Sequence, residues 1–277
     1  MRHGKSPECI AMEPGARLMD MADVLSFGSG TLVGFALGLL GGGGSILAVP
    51  LLIYVVGVKD AHVAIGTSAL AVSANALANL IPHARAGNVK WPCAVVFAGA
   101  GIFGAALGAI IGRHVEGQHL LLLFGLVMLA VAAGMFSKRA ASGDPLVRID
   151  PSIAVRLIGA GLFVGLLSGF FGIGGGFLIV PAIMLGSGMA AINAIGSSLV
   201  SVGAFGLTTA VTYAVAGLID WRVAAVFVLG GIAGGLLGVR LSVKLSKSRG
   251  VLSKAFAVVV VCVAAFVIWK STAGILR

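Results

Sequence analysis

The chain has 277 residues, of which 59% are hydrophobic and only 10% charged, with a mean hydropathy of +1.11. Soluble domains carry about 25% charged residues, so an ordinary cytosolic enzyme is excluded. The net charge of +10 would point to nucleic acid in a soluble chain. Here Lys and Arg sit in loops between apolar segments, where they set orientation in a lipid bilayer, and no nucleic-acid partner is implied.

Residues 1–23 form a polar N-terminal tail without the apolar stretch and small-residue cleavage site of a signal peptide. Apolar segments follow over about 24–57, 61–82, 92–112, 119–137, 152–188, 190–216, 222–245 and 252–271. Several exceed the ~18 residues that mark a membrane-crossing helix. Trp91, Trp221 and Trp269 fall at segment ends, where an indole favours the membrane–water interface. The polar linker 138–151 divides a first membrane repeat, 24–137, from a second, 152–277. Cys9, Cys93 and Cys262 lack metal-ligand spacing and read as packing residues.

The two halves repeat each other. Gly41-Gly42-Gly43-Gly44-Ser45 and Gly172-Ile173-Gly174-Gly175-Gly176 precede Pro50 and Pro181 by the same distance. Gly66-Thr67-Ser68 then matches Gly196-Ser197-Ser198, Ala86-Gly87 matches Ala216-Gly217, and Trp91 matches Trp221. Gly104 and Gly108 match Gly234 and Gly238. One single-residue gap keeps the alignment at a period near 130, the signature of a duplicated unit. The series Gly104/Gly108/Gly112 and Gly230/Gly234/Gly238 have the four-residue spacing of close helix packing. Such faces serve a homodimer as readily as contacts within one chain.

The first segment, Val24 to Gly57, has 34 residues, or ~51 Å as one helix, against a hydrocarbon core of ~30 Å. It is either one long kinked span or a re-entrant hairpin broken at the glycines. With every segment spanning, the loop Lys and Arg divide seven to seven. With segments one and five re-entrant they divide eleven to three, leaving only Lys59, Arg113 and Arg222 on the sparse side. The positive-inside rule therefore favours hairpins. Three full spans per repeat is an odd number, which inverts one half against the other. The expected fold is an all-α polytopic membrane protein of two inverted repeats, each a Gly-broken re-entrant hairpin plus three transmembrane helices.

Broken helices in inverted-repeat carriers expose backbone dipoles near the midplane. A half-helix N-terminus leaves N–H groups unpaired and carries about half a positive charge. Gly43, Gly44, Ser45, Gly174, Gly175 and Gly176 are thus candidate donors to a small anion. Hydroxyls of the matched pairs Thr67/Ser68 and Ser197/Ser198 are the next candidates. Asn75, four residues before Asn79 on one helical face and costly to bury alone, joins them. His62 and His83 flank the second segment as interfacial histidines, and Pro82 is expected to end or kink that helix. Carboxylates fall only in tails, loops and segment ends, which argues against an acidic cation site or proton relay.

These motifs carry a resemblance. The pattern Gly34-Phe35, Gly38, Gly41 to Ser45, Pro50 and Gly66-Thr67-Ser68 resembles the TauE/SafE sulfite exporter family. Its second-half echo does too: Gly165, Gly169, Gly172 to Gly176, Pro181 and Gly196-Ser197-Ser198. The resemblance covers about residues 24–271. It implies a permease for sulfur-containing organic or inorganic anions in the bacterial cytoplasmic membrane. Where the second motif reads Gly172-Ile173 in place of two glycines, the two cradles need not be equivalent.

The expected function is a secondary transporter with a small anionic substrate and the lipid bilayer as its partners. One repeat would move against the other. Neither cofactor nor metal is called for, and the spans contain no nucleophile–base pair that would make an enzyme. The alternatives are a non-transporting scaffold or partner subunit, and an anion channel. A bulky residue at Gly44 or Gly175 is expected to abolish flux while leaving folding intact.

Overall fold

The computed structural model describes residues 15–137, 149–172, 176–245, 261, 262 and 265. Most of the N-terminal tail, nearly all of the linker and most of the expected last span therefore lie outside the described residues. The regular elements are helices: α1 Gly15–Leu40, α2 Ala48–Leu51, α3 Ala61–Arg85, α4 Trp91–Gly112, α5 Gly117–Ser137, α6 Pro151–Phe171, α7 Gly176–Ser187, α8 Ala191–Val215 and α9 Trp221–Leu245. A 3-10 stretch, Gly41–Leu47, joins α1 to α2, and a π turn, Leu52–Val56, follows. Six stretches among the described residues are long and apolar enough to cross a membrane. Trp91 and Trp221 open α4 and α9 and are exposed.

Three aspartates start helices. Asp60 accepts from the His62 N–H at 2.7 Å, Asp150 from Ile153 at 2.7 Å and Asp220 from Val223 at 3.1 Å. Each satisfies a donor that the first turn leaves unpaired and complements the positive end of the helix. The hydrogen bonds from Ile153 and Ser152 hold the Asp150 carboxyl below its ordinary range. Cys93 is buried, as a packing residue should be, whereas Cys262 is exposed. That part of the sequence reading fails for Cys262 because a membrane protein turns much apolar surface outward to lipid.

Glycine seams organise the bundle. A Cβ added at Gly30, Gly34 or Gly38 of α1 would overlap the carbonyls of Phe227, Gly231 and Gly235 on α9. In return, a Cβ at Gly230, Gly234 or Gly238 would overlap the carbonyls of Phe27, Thr31 and Phe35. The numbers rise together, so α1 and α9 run parallel with their backbones in contact. The same holds for α4 and α6, where Gly104, Gly108 and Gly112 sit on the carbonyls of Leu162, Leu166 and Phe170. Gly161, Gly165 and Gly169 reciprocate on Phe97, Gly101 and Ala105. Backbone approach of this kind permits Cα–H···O contacts of about 0.5–1 kcal/mol each, the usual cement where lipid removes the hydrophobic drive. The four-spaced glycines are therefore consumed inside the chain, and they no longer argue for a homodimer.

The remaining central pair, α3 and α8, runs antiparallel. His62 stacks on Tyr213 with ring centroids 6.4 Å apart, Gly206 packs on Ala69, and the Ser73 hydroxyl donates to the Gly203 carbonyl at 2.7 Å. Each seam joins a helix of the first half to one of the second, so the halves are interleaved. One group comprises α1, α3 and α9; the other comprises α4, α6 and α8, with Phe97 and Phe205 stacked 6.1 Å apart between α4 and α8.

Candidate functional site

α1 stops at Gly41, whose φ of +64° suits a residue without a side chain. Gly41 also lies so close to Ile195 and Ser198 that a Cβ would stand 2.7 Å from the Ile195 carbonyl oxygen. The chain then turns back, because Gly44 packs on the backbone of Ala36 and Leu37. α6 ends the same way, at Gly172 with φ +65°, resting on the Ile65 side chain. Ile65 and Ile195 are 130 positions apart, so each break abuts the second long helix of the other half.

The two breaks meet. Gly42 and Gly176 are in backbone contact, and a Cβ on Gly42 would come 2.5 Å from the Gly176 carbonyl oxygen. The Ser45 hydroxyl donates to the Gly42 carbonyl at 2.8 Å. The Gly42 N–H donates to the Ser198 hydroxyl oxygen at 3.0 Å, and that hydroxyl donates to the Ile195 carbonyl at 2.7 Å. Gly41 to Ser45, Gly176 and Ser198 are all buried. Of the candidates named from sequence, Ser45, Gly176 and Ser198 thus converge, with Gly43 and Gly44 buried beside them. Gly174 and Gly175 lie outside the described residues. Gly42, which the sequence reading left out of its donor set, makes the contact that joins the halves; its place in the four-glycine run was the available signal.

The matched hydroxyl pairs split. Ser68 donates to the Ile65 carbonyl at 2.8 Å, as Ser198 does to Ile195. Thr67 and Ser197 instead accept the N–H groups of Asp220 and Lys90, both at 2.9 Å. Those peptides open α9 and α4, so Thr67 and Ser197 tie helix starts across the halves. Successive helical residues point ~100° apart, which sends neighbours to different partners.

α3 carries a polar ladder along the α1–α9 seam. The Asn79 amide donates to the Gly34 carbonyl at 3.3 Å, and His83 Nε2 lies 3.0 Å from the Gly38 carbonyl. Asn75 lies against Gly231 and is fully buried, yet neither its Nδ2 nor its Oδ1 has a partner among the described residues. An unmatched buried polar group costs about 1–3 kcal/mol, which keeps Asn75 a candidate for ligand contact. Ser201, Thr209 and Ser168 also hold unmatched buried hydroxyls.

His83 is fully buried and bonded, not interfacial as its flanking place suggested; the i, i+4, i+8 spacing of Asn75, Asn79 and His83 was the missed signal. Pro82 does not end α3, which runs on to Arg85. In the second half the equivalents of Asn75 and Gly231 are Phe205 and Gly101, again in contact. The Asn75 rung is thus apolar in the second half, whereas Asn79 and His83 are matched there by the polar Thr209 and Tyr213. A groove of about 390 Å³ between α4 and α6 is lined by Phe103, Leu107, Leu162, Phe163 and Leu166, and offers an anion no donor.

A family model described as sulfite exporter TauE/SafE matches residues 26–267. The chain belongs to that family. It is 52% identical over 255 residues to a probable membrane transporter protein of Xylella fastidiosa (strain 9a5c), covering 91% of this chain and 97% of the relative. It is 26% identical over 242 residues to the probable membrane transporter protein YunE of Bacillus subtilis (strain 168), covering 78% and 87%. No solved structure matches. This TauE/SafE protein is a multi-pass membrane transporter of the bacterial cytoplasmic membrane.

Within that transporter the Gly44 geometry corrects an expectation. A side chain there would strike the Leu37 amide nitrogen and the Ala36 carbonyl carbon inside the turn. Gly44→Val should therefore lose folded protein along with flux, read as a diminished monodisperse peak on size exclusion. A normal peak with flux abolished would restore the purely functional reading of Gly44.

Proposed function

We propose that this TauE/SafE protein is a secondary carrier of small sulfur-containing anions, sulfite-like or sulfonate-like, held where the two glycine breaks cross. The observation that carries the reading is the Gly42–Gly176 contact with its Gly42 N–H to Ser198 hydrogen bond. It brings a backbone donor and a hydroxyl from opposite halves together at a buried point. Anions suit helix breaks that present N–H groups. Gly43, Gly44, Ser45 and Gly176 supply backbone and hydroxyl donors around that point, and Gly174 and Gly175 remain donor candidates from the sequence alone. Ser198 flanks it, Ser68 is its counterpart in the first half, and Asn75 offers an amide two turns further along the α1 seam.

The antiparallel α3–α8 pair supports inverted repeats, because a two-fold relating those helices runs across them, in the plane of the membrane. The eleven-to-three division of loop cations supports the same topology. The reversal at Gly41 supports a re-entrant hairpin, and so does the length of α7, 12 residues or about 18 Å.

The seams redraw the moving parts. One repeat swinging against the other would tear α1 from α9 and α4 from α6. The bodies that move are the interleaved groups, α1 with α3 and α9 against α4 with α6 and α8. They separate along α3–α8 and at the crossing, where the Gly42 N–H and the Ser198 hydroxyl exchange each other for the anion.

Counterflow in proteoliposomes tests the carrier. Sulfite, a short sulfonate or a carboxylate is loaded inside and the labelled anion is followed from outside. Saturable exchange with sulfite or the sulfonate is expected. Exchange with the carboxylate alone would move the substrate class, non-saturable flux would indicate a channel, and no flux with well-folded protein would indicate a scaffold.

A further inference from the structure

We propose that Arg113, Tyr213 and His62 form a second anion-binding site, at the end of the α3–α8 pair, that docks a small oxyanion at one face of the membrane before it reaches the glycine crossing. Its transport role rests on the carrier reading above; its binding role does not.

Three elements meet here. Tyr213 lies in the last turn of α8, fully buried, and its hydroxyl has no partner among the described residues. The His62 ring, in the first turn of α3, stacks over it at an interplanar angle of 30°, and its Nδ1 is buried and unmatched. Arg113 follows the end of α4 and donates from Nη1 to the carbonyl of Thr212, the residue before Tyr213, at 3.4 Å. Its Nε–H is also buried without a partner. A guanidinium N–H, a phenol and an imidazole nitrogen, each withdrawn from solvent and unmatched, form a set that an oxyanion satisfies. Arginine is the cation best shaped for such a ligand, through its planar fork of donors.

The nearby carboxylates are committed elsewhere. Asp60 accepts from the His62 and Val63 N–H groups, and Asp220 from the Val223 N–H. Glu116 pairs with His119 at 3.1 Å, and Asp23 pairs with Arg222. Among the described residues none of them forms an ion pair with Arg113. Lys59 adds a further cation at this end, and the attraction for an anion comes from the unmatched donors themselves, since the formal charges of this face do not sum to a positive field.

The cluster breaks the internal repeat. Positions 130 residues after His62 and Arg113 carry Ile192 and Val243, both apolar. The first-half counterpart of Tyr213 is His83, whose ring nitrogens lie 3.0 Å from the Gly38 carbonyl and 3.3 Å from the Asn88 amide. A packing device required by the duplicated fold would recur in both halves; this one serves a single face. It stands with Lys59, Arg113 and Arg222, the cation-poor face that the positive-inside rule assigns to the exterior. It also adjoins the path inward, since His62 is one helical turn before Ile65, on which the second break rests at Gly172.

The test uses the full chain in detergent, with thermal unfolding followed as sulfite or ethanesulfonate is titrated at constant ionic strength. The wild type is expected to gain stability on titration. Arg113→Gln should raise the half-saturating concentration at least tenfold, Tyr213→Phe several-fold, and Arg113→Lys should fall between Arg113→Gln and the wild type. No gain in the wild type, or Arg113→Gln titrating like the wild type, overturns the site. If Arg113→Gln does not fold, Tyr213→Phe, which removes one oxygen, decides alone.

In proteoliposomes Arg113→Gln should raise KM only from the face that exposes it, with the maximal rate unchanged. An equal rise from both faces overturns the docking role. Arg113-dependent binding with no wild-type counterflow sinks the carrier reading and leaves this site standing.

Discussion

Gly34→Leu should eliminate the folded protein, whereas Gly28→Ala, on the same helix, should leave it intact or slightly more stable. A Cβ at Gly34 would fall on the carbonyl of Gly231, and also near its Cα, while a Cβ at Gly28 meets nothing within 4 Å. Overpacking against side chains costs about 1–3 kcal/mol because neighbours can rotate away. A backbone carbonyl inside a helix has no such freedom. The α1–α9 seam would have to open along its length, losing contacts at Gly30 and Gly38 as well. At Gly28 only the helix-propensity term remains, a gain of roughly 0.5–1 kcal/mol for Ala over Gly. Fluorescence-detected size exclusion with a thermal ramp measures both. Gly104→Leu should reproduce the Gly34→Leu loss from the other seam. Wild-type folded yield for Gly34→Leu would show that α1 and α9 are not locked together, and the moving bodies would have to be redrawn.

The second expected result separates two adjacent serines. Ser198→Ala removes the acceptor of the Gly42 N–H at the crossing, and with it a hydroxyl donor to substrate. One hydrogen bond is worth about 0.5–1.5 kcal/mol net, so the KM for counterflow should rise about tenfold at most, together with the stability loss of about 1–3 kcal/mol that an unmatched buried Gly42 N–H brings. Ser197→Ala removes the acceptor of the Lys90 N–H, where α4 begins. By analogy with helix caps that loss costs about 0.5–2 kcal/mol of stability, so the thermal midpoint should fall while KM holds. Both quantities come from one preparation of each variant. If the two variants shift KM alike, Ser198 has no special place at the crossing and the substrate site lies elsewhere. Thr67→Ala, whose hydroxyl accepts from Asp220, should behave as Ser197→Ala does.

Much of this architecture is written in one dimension because the bilayer imposes one-dimensional rules. A crossing helix needs about 20 apolar residues, so the spans can be read by length. Duplication leaves a period near 130, so the matched glycines, prolines and hydroxyls can be paired before any coordinates exist. Four-residue glycine spacing announces a face for close packing, and the break at Gly41 to Ser45 announces itself through poor helix propensity.

What a glycine face packs against is another matter. Gly34 and Gly104 fit any backbone of suitable shape, and only the folded chain pairs α1 with α9 and α4 with α6, across the halves. Likewise Thr67 and Ser68 are equivalent as a string, and their ~100° separation around the helix axis gives one to the Asp220 N–H and the other to the Ile65 carbonyl of its own helix. His83 reads as an edge residue until the α1 carbonyl of Gly38 is found beside it. The sequence by itself determined the membrane, the duplication and the helix breaks, since those depend on composition and local spacing. The tertiary structure decided the seams, the meeting of Gly42 with Gly176 and the Arg113 cluster, because each depends on which surfaces far apart in the chain come to share one point in space.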